Sequence, residues 1–285
     1  EGTKKGGAWM QPLRSRGLYN GENQVPLTIN CCNFPKPGAG EPTLLSMDEV
    51  RTTFHEFGHA LHELLAGGRY PSVTGASVKW DFVELPSQLM ENWARSPEVL
   101  QQFARHNKTG DPIPAELVEK QKKAGNFGVG MMYLRQTFIG KLDMAWHNQD
   151  SDNISSVEAL EHSVAEQASL LARPGGPLST EIHHFFASSQ SPYAAGYYSY
   201  KWAEVLEADI FEQFSQSGDL YDPELANRLR HLYASGDTVD ANELFKYVVG
   251  RGPDASAALR REEILTANGQ SGQNPNKDRG PRPDQ

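Results

Sequence analysis

The feature that most constrains this chain is a run of five residues, His55-Glu56-Phe57-Gly58-His59. Two histidines four residues apart share one face of an α-helix, with their Cβ atoms about 5–6 Å from each other. Both imidazoles can then reach one ion, and the glutamate between them can reach a water on that ion, which makes the H-E-x-x-H pattern a zinc signature when it lies on a helix. The flanks supply the helix. Ser46-Met47-Asp48-Glu49 reads as a capping box, with Ser46 as N-cap and Glu49 three residues on. Val50, Phe54, Phe57, Leu61, Leu64 and Leu65 recur at helical spacing, and Gly67-Gly68 is a stop signal. The spacing predicts a helix over about 47–66 with both histidines near its middle.

A catalytic zinc takes three protein ligands and leaves a position for water. The next acidic residues are Asp81, Glu84 and Glu91, in Trp80-Asp81-Phe82-Val83-Glu84-Leu85-Pro86-Ser87-Gln88-Leu89-Met90-Glu91-Asn92-Trp93. This segment is apolar enough to be buried, so an acid within it needs a partner. Glu84 and Glu91 are seven apart and share a helical face, but periodicity does not choose among the three.

Several of these stretches together resemble the thimet oligopeptidase family, which includes oligopeptidase A and the peptidyl-dipeptidases. The resemblance rests on His55-Glu56-Phe57-Gly58-His59-Ala60-Leu61-His62 followed by Phe82-Val83-Glu84-Leu85-Pro86-Ser87-Gln88. It continues upstream at Lys5-Gly6-Gly7-Ala8-Trp9-Met10 and Cys32-Asn33-Phe34. Downstream it takes in the tyrosine segment Tyr193-Ala194-Ala195-Gly196-Tyr197-Tyr198-Ser199-Tyr200-Lys201-Trp202, then Asp240-Ala241-Asn242-Glu243-Leu244-Phe245 and Gly250-Arg251. It covers about residues 4–265. It implies a mostly α, zincin-like catalytic domain, with the metal helix and a few short strands near the N-terminus. It also implies that Glu84 is the third ligand to a single Zn2+, beside His55 and His59. Asp81 then becomes a cap or a group behind the ligands, and Glu91 either a carboxylate that orients a zinc-bound histidine or a member of a structural salt bridge. Members of that family are more than twice this length, and their largely helical first half forms one wall of a deep substrate channel. By that comparison the chain is the catalytic half alone, and the missing half is a candidate partner.

Tyr193, Tyr197, Tyr198 and Tyr200 cluster around Gly196. By composition they are ordinary half-buried aromatics, although phenols are also hydrogen-bond donors that stay neutral at pH 7 and Gly196 lets the backbone turn. The resemblance gives Tyr193, Tyr197 and Tyr200 contact with substrate or with the developing oxyanion, Tyr200 and Tyr193 being the preferred pair, and leaves Tyr198 to the core. One departure precedes this segment. Where the family has a histidine before a Gly-Gly-Tyr step, this chain has His183-His184-Phe185-Phe186-Ala187-Ser188-Ser189-Gln190-Ser191-Pro192-Tyr193. His184 aligns as the substrate-contacting histidine if about three residues are inserted, with His183 as the fallback. His62, one turn past His59, is expected behind the ligands or facing solvent.

Charge narrows the partners. With 27 basic and 36 acidic residues the chain carries a formal −9, which argues against nucleic acid as its main partner. The adjacent Cys31 and Cys32 are expected as reduced thiols, which favours the cytoplasm, with a mitochondrial or plastid matrix as the alternative. No run of about 18 apolar residues and no signal peptide are apparent. Residues 1–45 read as loop with a few strands, 67–80 as loop or a short hairpin, and 82 to about 105 as one helix. Further helices are expected over 115–123, 126–148, 156–172, 202–214, 223–233 and 241–249, with the methionines of 126–148 packed in the core. Residues 1–266 read as one domain, and 267–285 as a disordered polar tail.

Glu56 is the expected general base. The expectation is a zinc peptidase acting on short peptides, by internal cleavage or by release of C-terminal dipeptides. The alternative is a truncated remnant that binds zinc or peptide without turnover. A zinc enzyme with a non-peptide substrate would leave the tyrosine segment unexplained.

Overall fold

The computed structural model describes residues 6–168, 176–186 and 193–265, so the polar stretch 267–285 and the inserted segment 187–192 lie outside the described residues. The architecture is mostly α. Four short strands come first: β1 (Trp9–Arg14), β2 (Gly17–Tyr19), β3 (Glu22–Gln24) and β4 (Leu27–Cys31). β1 pairs antiparallel with β4, Trp9 opposite Cys31, with a bulge between Pro12 and Arg14. β2 and β3 form a second antiparallel pair. Its turn is Asn20-Gly21, both at positive φ, the combination a two-residue hairpin of matching twist requires. Both cysteines are free, Cys31 buried at the end of β4.

Helix α1 (Met47–Leu64) lies against this ribbon, and its capping box is formed: Ser46 N donates to Glu49 Oε2 at 2.7 Å and Glu49 N to Ser46 Oγ at 3.3 Å. The face it buries differs from the one its apolar spacing indicates. Phe57 and Leu64 are exposed, while Glu56, Gly58, Ala60, His62 and Glu63 are buried. Gly58 is the physical reason. A Cβ there would lie 2.4 Å from Pro86 O and 2.6 Å from Ser87 Cα. Helix α1 therefore crosses the start of α2 (Leu85–Arg95) backbone to backbone at this residue, and that crossing fixes its rotation.

The segment 67–80 holds a 3-10 turn at Pro71–Val73 and no hairpin, and a second 3-10 turn spans Trp80–Phe82. The single helix expected from 82 to about 105 is broken. Pro97 holds Ser96 in extended conformation (φ −69°, ψ 130°), and α3 (Pro97–Phe103) starts afresh. There follow α4 (Ala115–Gly125), α5 (Val129–His147), α6 (Val157–Ala168), α7 (Ser199–Ser217), α8 (Pro223–Ser235), α9 (Ala241–Val249) and the short α10 (Ser256–Arg261). In α5, Phe138, Ile139 and Leu142 are buried, but Met131, Met132 and Met144 are exposed, which corrects the core reading of those methionines.

Two apolar clusters result. The larger gathers Leu85, Leu89, Trp93, Leu206, Ile210, Phe214, Leu232 and Phe245 from α2, α7, α8 and α9. The smaller gathers Phe138, Ile139, Leu142, Leu178 and Phe185, with Tyr197 packed against it. The tyrosine segment lies between them, since it touches the smaller cluster through Tyr197 and runs directly into α7. Among the described residues no helix is long and apolar enough to cross a membrane.

Candidate metal centre and active site

The close crossing at Gly58 sets the histidines of α1 against the residue that begins α2. His55 Nε2 and His59 Nε2 each lie 3.3 Å from Glu84 Oε2. The ligand atoms of these three residues fall within 4.8 Å of one another. The two imidazole rings stand nearly perpendicular, centroids 5.0 Å apart. Two lone-pair nitrogens and a carboxylate oxygen aimed at one point need a cation or a proton between them. Burial works against a charge on His55, but hydrogen bonds to Glu84 and Glu91 outweigh it and push its pKa up to about 10. Burial likewise opposes ionisation of Glu84, yet hydrogen bonds from His55 and His59 hold its carboxyl well below the usual range. Two imidazoles, one carboxylate and an open side form a donor set that suits zinc.

Each of these groups is held from behind. His55 Nδ1 lies 2.7 Å from Glu91 Oε1, which keeps the proton on Nδ1 and turns the Nε2 lone pair toward the centre. Arg51 Nε approaches the other oxygen of Glu91 at 3.6 Å. Ser87 Oγ donates to Glu84 Oε2 at 2.8 Å, and Tyr193 OH donates to Glu84 Oε1 at 3.2 Å. Glu56 is buried beside the ligands, and among the described residues its Oε2 has no hydrogen-bond partner. Burial raises its pKa, and the nearby His55 and His59 pull it back only in part.

The tyrosine segment arrives from the other side. Tyr200 OH donates to Tyr193 OH at 2.5 Å, and the two rings stack with centroids 5.3 Å apart. Burial, then the charge of Glu84, pushes both phenols above their ordinary range, so both are neutral at pH 7. Gln88 Nε2 donates to Tyr200 O at 3.1 Å, which ties the start of α7 to α2. The Tyr193 ring meets Trp80 edge to face at 4.5 Å and His184 at 5.1 Å, and His184 also lies 6.2 Å from Tyr197. The residue with left-handed backbone in this segment is Ala195 (φ 55°), not Gly196, which is buried.

Of the expected positions Tyr198 is placed differently, and Asp81 and His62 have definite surroundings. Tyr198 is half exposed rather than in the core, and its hydroxyl donates to Asp81 Oδ2 at 3.0 Å. Asp81 therefore holds the tyrosine segment. His62 does not face solvent. It is fully buried, its ring 5.5 Å from that of Tyr233, and neither ring nitrogen has a hydrogen-bond partner among the described residues.

Residues the sequence did not single out complete the frame. Asp143, on α5 and fully buried, accepts from the backbone N–H of Ala195 at 3.1 Å and of Tyr197 at 2.9 Å. Its only sequence signal is the four-residue spacing to His147, whose Nδ1 lies 3.0 Å from Asp143 Oδ1.

The sequence model of peptidase family M3 matches residues 1–264. The chain belongs to peptidase family M3. Oligopeptidase A of Escherichia coli (strain K12) is 39% identical over 265 residues, covering 92% of this chain and 39% of that protein. Dipeptidyl carboxypeptidase of the same organism is 36% identical over 266 residues, 92% of this chain and 38% of that protein. The organellar oligopeptidase A of Arabidopsis thaliana, chloroplastic/mitochondrial, is 35% identical over 276 residues, 93% of this chain and 34% of that protein. This M3 chain thus spans well under half the length of the relatives it matches.

Proposed function

We propose that this chain carries the catalytic centre of a zinc-dependent peptidase that hydrolyses peptide bonds in short peptides. The observation that carries the reading is the convergence of His55 Nε2 and His59 Nε2 on Glu84 Oε2, each at 3.3 Å, with Glu56 buried beside them. His55, His59 and Glu84 would hold the ion. A zinc ion bound there supplies a Lewis acid that polarises the scissile carbonyl and lowers the pKa of a water.

The chain's own groups do the rest. Glu56 takes the proton of the attacking water through its unbonded Oε2 and passes it to the leaving amine. Its burial-raised pKa makes it a stronger base than an exposed carboxylate. As the carbonyl carbon becomes tetrahedral, its oxygen gains charge, and neutral phenols aimed at that oxygen stabilise it. Tyr200 and Tyr193 are the donors. Tyr193 OH donates to Glu84 Oε1 and Tyr200 OH to Tyr193 OH, so each hydroxyl reaches the oxyanion by turning from its present acceptor. Glu91 and Ser87 keep His55 and Glu84 in orientation. Tyr197, Gly196 and His184 form the wall beside the phenols against which the peptide lies.

The names of the relatives cover both oligopeptidase and dipeptidyl carboxypeptidase. Incubation of a ten-residue peptide with a blocked N-terminus and the zinc-loaded chain, read by mass spectrometry, tests the proposal. Chelator-sensitive fragments support it, and their lengths separate internal cuts from dipeptide release. An intact peptide with zinc bound would favour the non-catalytic remnant.

A further inference from the structure

We propose that Asp143 is a positioning residue for the tyrosine segment: its carboxylate, reaching across from α5, holds the backbone of residues 195–197 so that Tyr193 and Tyr200 present their hydroxyls at the metal centre. The inference rests on the role given to those tyrosines above.

Three observations carry it. Asp143 is fully buried, next to Leu142 in the smaller apolar cluster. A carboxylate in such a place is costly unless its lone pairs are filled. They are filled mainly by the loop: Oδ1 accepts from Ala195 N at 3.1 Å and Oδ2 from Tyr197 N at 2.9 Å, while His147 Nδ1 approaches Oδ1 at 3.0 Å. One carboxylate thereby grips two alternate amides of the chain, a two-point clamp that fixes direction as well as place.

The loop also needs a clamp. Ala195 sits in the left-handed region at φ 55°, which costs an L-residue with a Cβ about 1–2 kcal/mol. Such a conformation persists only where its surroundings over-determine it. Around Ala195 the backbone bonds among the described residues include the turn bond from Gly196 N to Tyr193 O at 2.8 Å and the bond from Ser199 N to Gly196 O at 3.1 Å. Asp143 acts on Ala195 directly. The two catalytic phenols flank the clamped amides at positions 193 and 200, so a shift of the clamp moves both.

Asp143→Asn is the sharp test, because it keeps shape and burial but leaves one acceptor for two N–H groups and turns an NH2 against the other. Amide hydrogen exchange on the full chain should show faster exchange at Ala195 and Tyr197, with α1 unchanged. Unchanged exchange at those two amides overturns the proposal, whatever the activity. In turnover of the blocked peptide, kcat should fall on the order of 100-fold, the size of effect a misplacement of about 1 Å produces. KM and zinc content should stay within a few-fold. The same substitution in a Tyr200→Phe background should then cost much less, since residues that act through one another are not additive. Equal losses in both backgrounds would show that Asp143 acts elsewhere and would overturn it. If Asp143→Asn is not recovered folded, Asp143→Glu carries the same readouts. It keeps the charge one methylene out of place, and wild-type exchange and kcat in that variant would count against a geometric clamp. An inactive wild-type chain would refute the peptidase reading, while the exchange experiment would still decide whether Asp143 holds the loop.

Discussion

Glu56 and His62 lie two turns apart on one helix, both buried, and burial acts on them in opposite senses. On Glu56 it raises the pKa of a carboxyl whose Oε2 has no partner among the described residues beside the ligands. Replacing that oxygen with an amide should remove the base and leave the ligands. Glu56→Gln is therefore expected to retain zinc, measured by elemental analysis, while kcat falls about 10²–10⁴-fold. Near-normal turnover would place the base elsewhere. On His62, burial drives the pKa down to about 3, with a smaller contribution from the charge of His59. In the unfolded chain an imidazole takes a proton near its ordinary 6.5, whereas in the fold it stays neutral until about 3. The stability associated with a neutral His62 is thus complete above pH 6.5 and is lost as pH falls from there toward 3. The slope approaches about 1.4 kcal/mol per pH unit for one proton. His62→Leu removes both the two unpaired nitrogens and the titration. Urea midpoints of wild type and variant should diverge steadily in the variant's favour between pH 6.5 and 4.5. Parallel curves would show that His62 is protonated inside the fold. None of this was legible in the sequence, where His62 reads as one more histidine near the metal face. Its burial depends on Tyr233, 171 positions away on another helix.

At the scale of elements, the sequence announced the metal helix because its start signal is local. Ser46 and Glu49 bond to each other, and the structure begins α1 at Met47. It did not announce the rotation of that helix, because apolar spacing gives a face and only packing decides whether that face is used. Phe57 points outward and Glu56 inward because Gly58 brings α1 down onto the Pro86-Ser87 backbone. Pro97 was readable as a break, since Ser96 before it is held extended, but Val99, Leu100 and Phe103 at helical spacing masked it. The crossing at Gly58 yields a prediction of its own. Gly58→Ala places a methyl 2.4 Å from a backbone oxygen, which no side-chain rotation relieves. The two helices must move apart, at about 1–3 kcal/mol of stability, and Glu84 must withdraw from His55 and His59. Zinc affinity should fall more than stability alone accounts for, as measured by competition with a chromophoric chelator. Unchanged affinity would mean that the crossing does not set the ligand geometry.

Across the whole molecule, residues 250–261 are tied back to the helices that build the site. Arg251 donates through Nη1 and Nη2 to the two oxygens of buried Asp209 on α7, each at 2.7 Å, which gives the Gly250-Arg251 motif a structural role. Arg261, at the end of α10, pairs with Glu207 of α7 and reaches Asn92 Oδ1 on α2 at 3.3 Å, while Asn92 Nδ2 donates to Glu207 Oε2 at 2.6 Å. Asn92 follows Glu91, the residue behind His55, so this buried triad joins α2, α7 and α10 directly behind the metal centre. Burial pushes Glu207 up to about 7 even with Arg261 and Asn92 holding it down, which shows how heavily its charge depends on that guanidinium. Arg261→Met should therefore leave an uncompensated buried carboxylate and destabilise the chain by about 3–5 kcal/mol at pH 8. The sign of the pH dependence follows. With its folded pKa raised above the unfolded 4.5, Glu207 favours the fold only when protonated, so the deficit of the variant should shrink as the pH is lowered from 8 toward 5. Arg261→Met/Glu207→Leu, which removes both charges, should recover most of the loss at pH 8. Denaturant unfolding of the three proteins at the two pH values measures this. A deficit that is the same at both, or that the second substitution fails to repair, would mean that Arg261 contributes by packing its stem rather than by compensating Glu207.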